Sequence, residues 1–408
     1  MAQPQNYVPN VQRARLRRMT RPYTPHPHSE KHCYLDVSED TCLRRLHFHK
    51  VVITEICQLI RPHLQPASMF RTSVTIEVKV TATLSLYTSG SFQASTVNIS
   101  PLSHHVTQCC IRQFTEALCA CWMDFISFSM TTEAQTNSAA VFYGIANFPR
   151  VQRAIQCTHI AMRAPSHDPQ LFLNTKGFHC LKVQLIVDHN HIIMAVHDKS
   201  LGSFKETQIL SECAVSDIFA TQPKGQCWML GDNCYGLATW LMTTLRDTHT
   251  EAEKQYNDSH RDPRNVVQKT MCLLKQRFRC LHHSGGELKY NPAQAAKVVA
   301  ICSMLQNLAI MRGQKFPDGA PEERAEEEDE RLDAELGPDT QADYATISTP
   351  PCRLQERARG GNIAAGMLHQ QAISERFALK NVAVIDNANR LLCVCSSDIN
   401  GGHHLGAS

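Results

Sequence analysis

Two stretches decide how this chain reads: Ala154-Ile155-Gln156-Cys157-Thr158-His159-Ile160 and Met229-Leu230-Gly231-Asp232-Asn233-Cys234-Tyr235. The first reads as a strand. The second reads as another strand, carrying an acid at its end, and the extended run is placed at Trp228–Asn233. Between them Leu181–Asp188 and His191–His197 are two more strands, and His189 with Asn190 makes the tight turn of a hairpin. Downstream, Arg264-Asn265-Val266-Val267-Gln268-Lys269 opens a helix expected over Asp262–Leu281, with Arg264, Lys269, Lys275, Arg277 and Arg279 as its basic face. Asn291-Pro292 is an N-cap and first-turn pair for a last helix running to about Met311. Strands first, then an acid-tipped strand, then helices describe an α/β fold, with a mixed sheet and flanking helices.

Upstream the texture is helical. From Asp36 to Leu64 the residues Leu43, Leu46, Ile53, Ile56 and Ile60 recur at helical spacing, with a break near His49 and Lys50. A second helix fits Thr75–Tyr87, with Val78, Ala82 and Leu86 on one stripe and Gly90 beyond its end. A short helix over Ser91–Val97, a turn at Ile99–Leu102 and a longer helix capped by Ser103 form a helix-turn-helix candidate. Its second helix offers His104, His105, Gln108 and Arg112 to DNA, a thin electrostatic footprint, and a plain helical bundle explains the same pattern. The expected organisation is a basic arm (1–35), an all-α, helix-turn-helix-like domain (36–145), the α/β domain (146–313), an acidic linker (314–361), a short helix (362–378) and an unassigned tail (379–408).

The hydrophobic fraction of 43% over 408 residues supports a sizeable core, and the net charge is only +3. That charge is uneven: Arg13, Arg15, Arg17, Arg18 and Arg21 form an acid-free arm, whereas Glu322–Glu335 is strongly acidic. A basic arm points to nucleic acid and an acidic run to a solvated linker. The first twenty residues carry no apolar signal region, and no 18-residue apolar run is expected to span a membrane. The 18 cysteines lack paired C-x-x-C spacing, so they read as reduced, packed thiols.

Several separate strings carry a family resemblance: Leu86-Tyr87-Thr88-Ser89-Gly90-Ser91-Phe92-Gln93, Asn174-Thr175-Lys176-Gly177-Phe178-His179, Gly231-Asp232, Trp240-Leu241-Met242-Thr243, Ala252-Glu253 with Tyr256-Asn257, and Arg277-Phe278-Arg279-Cys280-Leu281. In this order they resemble the Harbinger transposase-derived nucleases, a branch of the DDE transposases. The resemblance implies a ribonuclease-H-like mixed sheet with flanking helices and a divalent-metal-dependent DNA endonuclease whose Asp, Asp and Glu fall on Gln156, Asp232 and Gln268. Only one of these is an acid here. The family's aspartate after a Gly-Ser pair is answered by Glu206 after Gly202-Ser203, and its histidine before an asparagine by Gln306 before Asn307.

Two-metal phosphodiester hydrolysis needs anionic oxygens around ions about 3.5–4 Å apart. Each missing charge removes several kcal/mol of attraction at an effective dielectric near ~20. The expectation is therefore a domesticated protein with impaired chemistry, acting as a DNA-binding or adaptor protein. The alternatives are an active Mg²⁺- or Mn²⁺-dependent enzyme centred on Asp232, with Glu206 or Asp188 recruited as ligand, or a decaying relic. Arg264, Lys269, Lys275 and Lys176 are the expected DNA contacts. The family further implies a nuclear location, with the cytoplasm as a second compartment, and a Myb/SANT-like nuclear partner.

Overall fold

A computed structural model describes residues 33–314, apart from 65–73, 91–101, 129–130, 214, 222–226, 236–237 and 246–247. The basic arm, the short helix expected at 91–97, most of the acidic linker, the helix at 362–378 and the tail lie outside the described residues.

The N-terminal helices are α1 (Glu39–Leu46), α2 (Lys50–Ile60), α3 (Ile76–Ser89), α4 (His104–Cys119) and α5 (Thr132–Ala146). Side-chain oxygens of Ser38, Thr75, Ser103 and Thr131 cap the starts of α1, α3, α4 and α5, each accepting a backbone N–H three residues on. The expected break near His49 is the α1–α2 joint, where His47 takes the left-handed conformation that ends α1. Gly90, at φ 72°, ends α3. Helix α3 is more than a stripe: Val80 to Thr88 is buried without interruption. Its threonines tolerate this because Thr81 and Thr83 donate to the carbonyls of Glu77 and Lys79, at 2.7 and 2.8 Å.

A five-stranded mixed sheet follows, built from β1 (Val151–Ala161), β2 (Cys180–Val187), β3 (Ile193–Leu201), β4 (Trp228–Leu230) and β5 (Leu241–Met242) in the order β3-β2-β1-β4-β5. β1 to β3 are antiparallel neighbours, whereas β4 lies parallel to β1 and β5 parallel to β4. At the β2–β3 hairpin Asp188 Oδ1 accepts the backbone N–H groups of Asn190 and Ile192 at 2.8 and 2.9 Å, and His191 is left-handed. Short helices α6 (Glu206–Glu212) and α7 (Val215–Ala220) precede β4, and the long α8 (Glu251–Arg277) and α9 (Pro292–Met311) close the domain. This is the mixed α/β architecture expected of the nuclease domain.

Alternation along the strands divides the burial. Ala154, Ile160, Val183 and Leu185 join one core with α8, α9 and the N-terminal helices. Ile155, Ile186, Met229 and Leu241 join a second with Phe219 and Trp240. Helix α9, buried from Val298 through Ala309, is shared between the sheet and the N-terminal helices, touching β3 on one side and α4 on the other. By length and composition α9 is apolar enough to cross a membrane, which amends the expectation that no such run exists; here it is the central core helix.

Three sequence expectations need correction. Strand β4 stops at Leu230, and Asp232 lies in the turn beyond it rather than in a strand reaching Asn233. The reason is local: Asp232 Oδ1 accepts the N–H of Cys234 at 3.0 Å, the side-chain turn that aspartate favours. Helix α8 starts at Glu251, eleven residues before the expected Asp262. Pro263 reads as a boundary in sequence, but a Thr250/Glu253 capping box starts the helix, and buried Tyr256, His260, Val266 and Val267 hold both sides of the proline. Arg277 does not belong to a basic face, because it is 1% exposed. Helix α5 was unforeseen, since Val141, Tyr143 and Ile145 are exposed and only Ser138 and Phe142 are buried.

Candidate functional site

The β1–β4 register sets the centre of the site. Ala154 stands beside Leu230 in the parallel ladder, so Gln156 and Asp232 lie two residues further along the neighbouring chains. By alternation Gln156 shares the face of Ala154, the face that α8 covers. On α8, His260, Arg264 and Gln268 are four apart and fall on one side of the helix.

Backbone hydrogen bonds lock that side against the sheet. Tyr256 donates its hydroxyl to Thr243 O at 2.9 Å, Asn257 brackets Leu245 by bonding both its N–H and its carbonyl, and a His260 ring nitrogen bonds Met242 O at 3.0 Å. One turn later Arg264 Nη2 reaches Asp232 Oδ2 at 3.5 Å, and one further turn carries Gln268. The structure thus sets Gln156 on the chain beside Asp232, with a guanidinium against the single acid, while Gln268 lies one turn further along α8.

The remaining expected residues are distributed differently. Glu206, at the start of α6, is bound by Lys182 of β2 at 2.5 Å, and Lys182 also donates to Phe204 O at 2.9 Å. Glu206 is near enough to raise the Asp232 carboxyl. Burial is the larger cause of that rise, opposed by Arg264 and by the Cys234 N–H. Asp188 is committed to the β2–β3 turn. Lys269 lies off the Arg264 face and lines a groove with Ile145, His191, Asp262, Val266 and the expected site residue Gln268. Lys176 and Lys275 gather near His159, whose pKa falls to about 3, chiefly through burial and then through Lys182 and these two lysines.

His260 gives a pH prediction. Its pKa falls to about 4, first because burial penalises the charged ring; the bond to Met242 O opposes this and Arg264 adds to it. The unfolded chain binds this proton below about 6.5 and the folded chain does not, so stability present at pH 7 is lost as pH falls from 6.5 toward 4. By pH 5 the loss is about 2 kcal/mol. In thermal melts between pH 7 and 5, His260→Gln should show a shallower decline than the parent; equal slopes would sink this assignment.

A family model described as "DDE superfamily endonuclease" matches residues 155–307, the span from β1 into α9. The chain is 31% identical to the rat (Rattus norvegicus) protein named Putative nuclease HARBI1 over 307 residues, covering 74% of this chain and 88% of the relative. The chain belongs to the Harbinger transposase-derived nuclease family. The human (Homo sapiens) protein of the same name is likewise 31% identical, over 73% of this chain and 87% of its own length. Protein ALP1-like of Arabidopsis thaliana is more distant, at 22% over 43% of this chain. No solved structure matches the chain.

Harbinger-type chemistry implies divalent metal, and the donors here do not fit a pair of such ions. The carboxylate of Asp232 faces Arg264, Glu206 is held by Lys182, and Gln156 and Gln268 bring amides without charge. The Gln156 side-chain oxygen is buried without a partner, yet an amide oxygen alone supplies no anion. Among the described residues no cluster of three or more His, Cys, Asp or Glu is arranged to hold a metal ion.

Proposed function

We propose that this chain is a domesticated Harbinger nuclease relative with disarmed chemistry, acting in the nucleus as a DNA-binding or adaptor protein beside a Myb/SANT-like partner. The carrying observation is that the one acid among the three expected triad positions faces an arginine. Two metal ions held about 3.5–4 Å apart need several anionic oxygens, and one carboxylate already opposed by a cation is too little. The Lys182–Glu206 pair weighs against the reading in which Glu206 restores activity, because turning that carboxylate toward a metal would strip a largely buried lysine of its counter-ion.

A plasmid-nicking assay in Mg²⁺ and in Mn²⁺ tests this. The parent protein and Asp232→Ala should both leave supercoiled DNA intact. The double variant Gln156→Asp/Gln268→Glu should restore nicking if the scaffold is otherwise sound. Cleavage by the parent that disappears in Asp232→Ala would overturn the disarmed reading.

A further inference from the structure

An intact acidic triad repels DNA until metal neutralises it. The charges here are arranged otherwise. Asp232 faces Arg264 and Glu206 faces Lys182, so two acids meet two bases with no ion added. The amides of Gln156 and Gln268 contribute none. The 3.5 Å between Arg264 and Asp232 is longer than the roughly 2.7–2.9 Å of a tight charged hydrogen bond. The Arg264 Nε–H is buried without an acceptor, so the carboxylate does not engage the whole guanidinium fork. Both side chains keep about a fifth of their surface in solvent, 20% for Arg264 and 23% for Asp232. Guanidinium geometry suits bidentate contact with phosphate oxygens.

We infer that the degenerate site is a metal-free phosphodiester-binding site, in which Arg264, beside Asp232, takes a backbone phosphate of DNA. This rests on the DNA-binding reading above and gives the former catalytic centre a role in it. Asp232 meets the guanidinium only loosely, so the arginine can turn a donor toward the phosphate. The nucleotide chain then runs over the open side of α8 without the ions that the ancestral chemistry requires.

The test is fluorescence anisotropy with a labelled DNA duplex of about 20 base pairs, titrated over a range of KCl in EDTA and again in Mg²⁺. The parent should bind in EDTA at least as tightly as in Mg²⁺. Arg264→Gln should weaken binding several-fold on unrelated sequences and lower the log–log salt slope by about 1, the signature of one lost phosphate contact. Arg264→Lys should keep that slope, and thermal melts of all variants should confirm folding. Asp232→Asn, which removes a negative charge while leaving an oxygen for the Cys234 N–H, should bind equally or more tightly. A fall of tenfold or more in EDTA, or weaker binding by Asp232→Asn, would overturn the metal-free site. An unchanged salt slope in a folded Arg264→Gln would remove Arg264 from the interface while leaving DNA binding elsewhere intact. Absence of binding by the parent in both buffers would instead defeat the DNA-binding reading itself.

Discussion

Replacing Gln306 by leucine should destabilise the fold by about 1.5–3 kcal/mol, the worth of a buried hydrogen bond to a charged group. Arg277 is 1% exposed, and burial lowers its pKa to about 10, so it remains charged at neutral pH. The guanidinium does not reach solvent. Instead Nε donates to Gln306 Oε1 at 2.8 Å, Nη1 donates to His47 O at 2.6 Å, and the Phe48 ring lies 5.3 Å from the guanidinium carbon. Gln306→Leu deletes one acceptor and puts an apolar group against the cation. Against a total stability of roughly 5–15 kcal/mol, that is a large fraction. The double variant Arg277→Met/Gln306→Leu should recover much of the loss, since an apolar pair of similar volume replaces a desolvated charge. Urea denaturation of the two single variants and the double variant closes the cycle. A Gln306→Leu midpoint equal to the parent would show that the buried guanidinium finds another acceptor.

The neighbouring position should be more sensitive still. Asn307 is fully buried and makes three backbone hydrogen bonds: Oδ1 accepts Ile193 N–H at 2.8 Å, and Nδ2 donates to Ile193 O at 2.7 Å and to Phe125 O at 2.9 Å. It therefore ties α9 to the first residue of β3 and to the segment after α4. Asn307→Leu would orphan one buried N–H and two carbonyls, at about 1–3 kcal/mol each before relaxation. We expect a loss of about 3–6 kcal/mol, read as a lower denaturant midpoint. Faster amide exchange should appear first at Ile193. Asn307→Asp is a stricter probe, because it keeps the shape and the acceptor but removes both donors. Near-parental stability of either variant would mean that β3 holds its place without this anchor.

These two positions also explain the strings that carry the resemblance. Arg277 sits in one string, and its partner is Gln306. Trp240–Thr243 and Tyr256-Asn257 meet through the Tyr256–Thr243 hydrogen bond, and Asn257 brackets nearby Leu245. Asn174 Oδ1 accepts the Phe178 N–H at 3.1 Å, and Gly177 takes φ 84°, which closes the Asn174–His179 turn. The recognisable residues are thus largely contacts that seat α8 and the loops on the sheet. That is why the scaffold remains legible while the positions expected to hold metal differ.

Local pattern was enough to place the strands Ala154–Ile160 and Leu181–Asp188, the breaks around α1 to α3, the Ser103 cap and the Asn291 start of α9. Each depends on signals within a few residues. The same reasoning failed at Pro263, where packing on both sides overrides a helix breaker, and at α5, whose outward Val141, Tyr143 and Ile145 blur the periodic signal. It also misjudged Arg277, because a charged residue in a basic run looks solvent-facing until its neighbours in space are known.

The sequence by itself determined that this is a mixed α/β nuclease-type chain with one acid, Asp232, among the three positions where the family resemblance implies a triad. Residue identity and local periodicity carry that much. Only the tertiary structure decided what surrounds the acid. The parallel β1–β4 register sets Gln156 beside it, helix α8 delivers Arg264 from 32 residues away in sequence, and Lys182 claims Glu206. Such pairings depend on how separate elements cross in space, and no local spacing along the chain encodes them.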